Sequence, residues 1–146
     1  MTNHAMVIVG GGPTGLMLAG ELASARVDVA VVERRTHQEL TGARAGGLRS
    51  RTIEVLDQRG IADRFLSQGQ VMQVGGFAMI PLDISDFPTR HNYGLAVAGA
   101  HRAHTRRWVD ELAVPICRGR EVTDFARDDT GVDVALSDDR SLRAES

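Results

Sequence analysis

The stretch AMVIVGGGPTGLMLAGELA, residues 5–23, decides the fold. Its head, AMVIVG, is a near-continuous apolar run with two valines and an isoleucine, the pattern of a strand buried on both faces of a parallel sheet. Gly10, Gly11 and Gly12 end that run, and helical spacing follows, with Gly15, Leu18, Ala19 and Leu22 on one stripe. VDVAVVE, residues 27–33, then reads as a second strand closed by Glu33. Strand, helix and strand make a βαβ unit, so the expected class is α/β, built on a parallel sheet.

The glycines sit where that unit needs them. Gly10, Gly12 and Gly15 form G-x-G-x-x-G between strand and helix. The first permits the tight turn, the second lets the backbone approach a pyrophosphate, and the third lets helix and strand pack closely. The pyrophosphate would rest on the helix N-terminus, where N–H groups and the dipole favour an anion. A lone glycine pattern is weak evidence, but Glu33 ends the second strand about 20 residues on, where ribose hydroxyls need an acceptor. The combination predicts a dinucleotide site. Glu33 disfavours a 2′-phosphate by charge repulsion, although Arg34 and Arg35 directly behind it could receive one. On spacing alone, NAD and FAD both remain open.

Bulk composition narrows the class further. The 146 residues, 42% of them hydrophobic, suffice for one ordinary core, and one domain is the default expectation. A formal charge of −2 lacks the excess on which phosphate-backbone binding leans, so no nucleic-acid partner is expected. Cys117 is the single cysteine, which precludes an intrachain disulfide and fits a reducing cytoplasm. The N-terminus carries neither a charged flank nor a small-residue cleavage site, and no run approaches the ~18 apolar residues of a membrane span. The chain therefore reads as soluble and cytoplasmic.

Beyond Glu33 the chain is polar and Gly-rich to Arg49. Ser50 is placed to N-cap RTIEVLDQR, which stops at Gly60, and a short helix is expected from Ala62 to Ser67. Residues 74–98 mix β-branched and aromatic residues with Gly and Pro and predict irregular strands and turns. The final third predicts a strand in VPICRG and then a β-meander through REVTDFARD, a DTG turn and VDVALS.

Several of these stretches together, VIVGGGPTGLMLAGELA, VVERR, RAGGLRSRTIEVLDQRGI, PLDISDFPTRHNYGL and VPICRGREVTDFARDDTGVDVALSD, resemble one family. They are similar to the N-terminal part of FAD-dependent aromatic hydroxylases of the para-hydroxybenzoate hydroxylase type, in the aromatic-polyketide and rifampicin monooxygenase branch. The block from Arg44 to Gly60 is the most specific part, because nicotinamide dehydrogenases have no reason to carry it. The resemblance implies a Rossmann-like FAD-binding half-domain with a β-meander. It implies that Gly10, Gly12 and Gly15 hold the FAD pyrophosphate, that Glu33 holds the adenosine ribose, and that Arg34 lies near the adenine end. Arg44 matches the loop arginine that reaches toward flavin and pyrophosphate, and Val122 a position whose backbone contacts adenine. Relatives use NAD(P)H and oxygen to hydroxylate a phenol-like ring. The flavin carries that chemistry while the protein positions it, and no side chain here is nominated as general acid, base or nucleophile. The rival readings are a nicotinamide-binding module of a dehydrogenase and a non-catalytic remnant.

Two features depart from the family. Relatives continue, after the position of Ser146, into a strand beside the first one with a second flavin motif and then a substrate domain; residues 1–146 correspond to the N-terminal part alone. On that basis the chain is expected to be inactive alone, with AMVIVG as an apolar sheet edge. The other departure is VAGAHRAHTRRW, residues 97–108, where relatives carry a glutamine and an amphipathic helix. A coding string for it can be written that, read one base later, gives Trp-Gln-Glu-His-Ile-Glu-Arg-Thr-Leu-Ala-Gly, the family pattern. A pair of compensating frame errors is the simplest account; on any account Ala100 and Ala103 bury little where Ile and Leu would otherwise sit, so the first turns of this helix are expected to be held weakly against the sheet. His101 and His104 lack a third ligand for zinc, so no metal is expected. Arg102, Arg106 and Arg107 lack an interleaved aromatic platform for nucleic-acid bases.

Overall fold

The computed structural model describes residues 2–37, 47–86, 88–96 and 101–145. The elements run β1 (Thr2–His4), β2 (Met6–Val9), α1 (Pro13–Ser24), β3 (Val29–Glu33), β4 (Gly47–Leu48), α2 (Ser50–Gln58), α3 (Ala62–Leu66), β5 (Gln70–Met72), β6 (Val74–Phe77) and β7 (Ile80–Asp83), then β8 (Gly94–Ala96), α4 (His101–Glu111), β9 (Ile116–Arg118), β10 (Val122–Asp128), β11 (Gly131–Leu136) and β12 (Ser141–Glu145). The chain forms two compact units, Met1–Glu39 with Thr105–Ser146, and Leu40–His104.

The first unit is layered around a parallel sheet in the order β2-β3-β9. Alternation along β3 sends its side chains to two cores. Val29 and Val31 join Ile8, Leu16, Ala19, Val109 and Val114 on the side of α1 and the end of α4. Val32 joins Val134, Leu136 and Leu142 of the meander on the other. Every residue of β3 is therefore buried. The meander is the antiparallel run β10-β11-β12, as the sequence predicts, and β12 also pairs in parallel with β1.

The opening run behaves differently from its apolar reading. β2 begins at Met6 and is an edge strand of its sheet, so Met6 and Val9 are exposed and Ile8 alone is buried. Apolar composition predicts burial on both faces, and that does not hold; the edge position itself is the one the resemblance implies for this run. The inward stripe of α1 is also shifted: Leu16, Ala19 and Gly20 are buried, while Leu18 is 45% exposed. Trp108 of α4 packs on the same face, its ring atoms coming within 2.2 Å of where a Cβ on Gly20 would stand. After α1 the chain closes an αL cap: Arg26, at φ 62°, donates its N–H to Ala23, and Val27 donates to Leu22. That cap consumes Val27, so the second strand starts at Val29.

In the second unit, α2 and α3 bury Ile53, Leu56, Ile61, Ala62 and Phe65, and Leu95 of the antiparallel sheet β4-β8-β5 is likewise buried. The helix from Ala62 forms as expected. Ser50 does not cap α2. It is the first helical residue, and its hydroxyl donates to the Tyr93 carbonyl at 3.1 Å. Gly60, at φ 69°, closes the helix with bonds from Gly60 and Ile61 back to Asp57 and Leu56. Asp57 then accepts from Arg90 and bonds the buried His91 at 3.0 Å, a hydrogen bond that holds its carboxyl below the usual range. β6 and β7 form a hairpin through Ala78 and Met79, both at positive φ.

α4 forms across part of the anomalous stretch. Its buried positions are Arg102, Thr105, Trp108 and Val109, whereas Ala103 is exposed and Ala100 lies outside the described residues. Arg102 and Thr105, not Ala103, are therefore the inward positions ahead of Trp108.

Candidate functional site

The C-terminal ends of β2 and β3 and the turn before β10 surround a cavity of about 400 Å³, lined by Val9, Gly10, Gly12, Val32, Glu33, Arg34, Arg35, Arg120, Glu121 and Val122. That is the size range of small-molecule and cofactor pockets, and ligands of open parallel sheets sit beyond the carboxyl ends of the strands.

Each wall has a local cause. Gly10 continues the β2–β3 ladder through its N–H to the Val32 carbonyl at 2.7 Å, then turns at φ 109°, a backbone that side chains rarely adopt. Pro13 opens α1 with its preset φ, and Gly12 at the N-cap supplies no side-chain cap, which leaves this helix end to a ligand's acceptor. Gly15 is required by packing: a Cβ there would stand 2.0 Å from the Gly10 carbonyl oxygen. Around Gly10 and Gly12 the situation is reversed, with no atom within 4 Å of a built Cβ. The loop thus presents open space over bare backbone at a helix N-terminus, which fits a pyrophosphate.

Glu33 forms the floor. Its carboxylate is buried, 6% exposed, and accepts the Gly11 N–H at 2.9 Å and the Arg35 N–H at 3.0 Å. Its carbonyl accepts the Arg120 N–H at 3.2 Å, and Gly119, at φ 66°, returns its N–H to the Arg35 carbonyl. Arg34 and Glu121 face one another at 3.9 Å, both well exposed, while Arg120 pairs with Asp138 at 2.7 Å.

The cavity brings together Gly10, Gly12, Glu33, Arg34 and Val122 from the sequence-predicted set. Gly15 lies outside its lining, beneath the loop it supports, and Arg44 lies outside the described residues. Val122 both lines the cavity and packs on the meander core. Sequence reasoning missed Arg120 and Glu121. The signal was present in ICRGREV, where a glycine directly after a short apolar strand marks a turn at the sheet's carboxyl end. Among the described residues no cluster of metal-ligating side chains occurs, and no helix is long and apolar enough to cross a membrane.

A family model described as an FAD binding domain matches residues 3–145. A rifampicin monooxygenase of Streptomyces venezuelae is 41% identical over 95% of this chain and 30% of its own length. A 12-dehydrotetracycline 5-monooxygenase/anhydrotetracycline 6-monooxygenase of Streptomyces rimosus is 39% identical over 90% of this chain and 27% of its own. The solved structure of OxyS anhydrotetracycline hydroxylase from Streptomyces rimosus superposes with a TM-score of 0.92 at 34% identity, across 99% of this chain and 30% of that one. The chain thus spans less than a third of the length of these relatives.

Proposed function

The chain belongs to the FAD binding domain family, and on that premise we propose that the cavity over Gly10, Gly12 and Glu33 seats the ADP half of FAD within an aromatic-hydroxylating flavoprotein monooxygenase. The observation that carries the reading is the open, glycine-walled cavity at the uncapped N-terminus of α1, floored by the Glu33 carboxylate. Gly10 and Gly12 let the pyrophosphate lie against backbone, the end of α1 supplies N–H donors, and Glu33 offers acceptors to the adenosine ribose. Arg34 and Glu121 flank the adenine end, where the Val122 backbone contacts adenine. Arg44 belongs to the same proposal as the residue reaching toward flavin and pyrophosphate. Bound FAD supplies the redox chemistry, with NAD(P)H as reductant and oxygen as oxidant.

The relatives' names point to a substrate of the aromatic-polyketide or rifamycin class. Cytoplasmic placement rests on the nicotinamide supply and on the single Cys117. The test is calorimetric titration of the purified chain with FAD, NAD and NADP, together with its visible spectrum. FAD binding at least about tenfold tighter than either nicotinamide, ~1.4 kcal/mol, is the expected result. A preference for NAD or NADP favours the dehydrogenase module, and no binding of any of the three favours the non-catalytic remnant.

A further inference from the structure

We propose that Glu33 is a positioning residue that sets the glycine loop before any cofactor arrives, acting through Gly11 as well as offering acceptors to a ribose. The inference rests on the reading of the cavity as the seat of the ADP half of FAD.

The backbone at Gly11 is the joint between two hydrogen-bonding systems. Up to Gly10 the N–H groups belong to the sheet, the last of them donating to Val32. From Leu16 they belong to α1, beginning with the bond to the Gly12 carbonyl at 2.9 Å. Gly10 turns the chain out of the ladder at φ 109°, and the Gly11 N–H donates at 2.9 Å to the side chain of Glu33, Oε2, in place of a strand carbonyl.

Three consecutive glycines give this loop more conformational freedom to lose than any other composition, and a site that must order itself on binding loses affinity accordingly. A buried carboxylate is tolerable only when hydrogen-bonded, and the Gly11 and Arg35 N–H groups meet that need. The two needs are met by one contact. The fingerprint leaves the Gly11 position open, and any non-proline residue there would supply the same N–H. A Cβ there would stand 3.2 Å from Glu33 Oε2 and 3.3 Å from Glu33 Cβ, so the carboxylate packs directly on the bare loop. The Glu33 carbonyl meanwhile holds Arg120 on the opposite wall, so a single residue ties the floor to both sides of the cavity. A ligand with and a ligand without ribose hydroxyls separate the two roles.

The experiment titrates the chain and its Glu33→Ala and Glu33→Gln variants with ADP and with 2′,3′-dideoxy-ADP, which has no ribose hydroxyl for Glu33 to receive. Exchange of the Gly11 amide is followed by NMR in the ligand-free proteins. Glu33→Ala should weaken dideoxy-ADP about tenfold and speed Gly11 exchange by a similar factor. Glu33→Gln, which keeps an oxygen acceptor, should fall between the parent and Glu33→Ala in both readouts. Dideoxy-ADP binding unchanged in Glu33→Ala while ADP weakens would overturn the proposal and leave a ribose acceptor alone, as would unchanged Gly11 exchange. If Glu33→Ala does not fold, Gly11→Ala takes its place and should weaken both nucleotides alike; unaltered dideoxy-ADP affinity there is equally fatal. Parent protein that binds neither nucleotide defeats the reading of the cavity, and Gly11 exchange in Glu33→Gln then decides the positioning role by itself.

Discussion

At the scale of single residues, the glycines in and after the loop divide into those that packing requires and those that face open space. Gly15 is pressed against the Gly10 carbonyl and Gly20 against the Trp108 ring, so each is small because protein occupies the space. Gly12 faces open space and has φ −76°, which any residue adopts. Gly15→Ala should therefore cost about 1–3 kcal/mol of stability as an overpacked contact. Gly12→Ala should leave the unfolding midpoint nearly unchanged and weaken FAD at least about tenfold, ~1.4 kcal/mol, because its methyl would occupy the pyrophosphate's place. Urea unfolding and FAD titration of both variants check the pair, and a Gly12→Ala protein with parental FAD affinity contradicts the seat.

At the scale of elements, three helices end in the same motif with different residues at its left-handed position. α2 uses Gly60, whereas α1 uses Arg26 at φ 62° and α4 uses Ala113 at φ 57°. In α4 the bonds from Ala113 to Asp110 and from Val114 to Val109 show the cap fully formed. A non-glycine residue there bears roughly 1–2 kcal/mol of steric cost. Ala113→Gly should recover about 1 kcal/mol of that, read as a higher melting temperature. The meander carries a different device. Arg143 on β12 reaches Asp128 on β10 and Asp133 on β11, joining three strands. The Arg143 bond, and then the Thr130 N–H, hold the Asp128 carboxyl well below its ordinary value of 3.8. A group whose folded-state value is depressed stabilises where it is ionised, so its contribution is present above pH 3.8 and is lost as the pH falls below it. Asp128→Asn should lower the melting temperature at pH 7, and the gap from the parent should shrink steadily below pH 4. A gap independent of pH would mean that the network contributes through shape alone.

At the scale of the whole molecule, exposed apolar surface is concentrated in sheet edges and one hairpin. Val9 on edge strand β2 is 64% exposed, and on the β6–β7 hairpin Phe77 is 74% and Met79 100% exposed, with Ile80 and Leu82 also open. Contiguous exposed apolar residues and unpaired strand edges promote association. The chain of 146 residues should therefore form oligomers at micromolar concentration. A Phe77→Lys, Ile80→Lys variant should elute nearer the monomer position in size-exclusion chromatography with its melting temperature preserved. Elution of the parent as a monomer would show that these side chains do not drive association.

The βαβ start, the glycine loop, Glu33 and the meander were legible in the sequence because each rests on a local rule: period, glycine spacing, a turn dipeptide, an acid at a strand's end. Arg34 and Val122 were reached by resemblance, and tertiary structure put them on one cavity with Gly10, Gly12 and Glu33. What no local rule could decide was which neighbour each element would have. AMVIVG is apolar enough for burial on both faces, and it was the resemblance, not its own residues, that pointed to β2 as an edge, since the residues of a strand do not encode how many strands flank it. Gly20 of α1 packs on Trp108, almost ninety residues downstream, and the pairing of β1 with β12 joins the two ends of the described chain. Glu33 was readable as an acceptor for a ligand. Its hydrogen bond to Gly11, 22 residues away in sequence, exists only once β2 and β3 lie side by side.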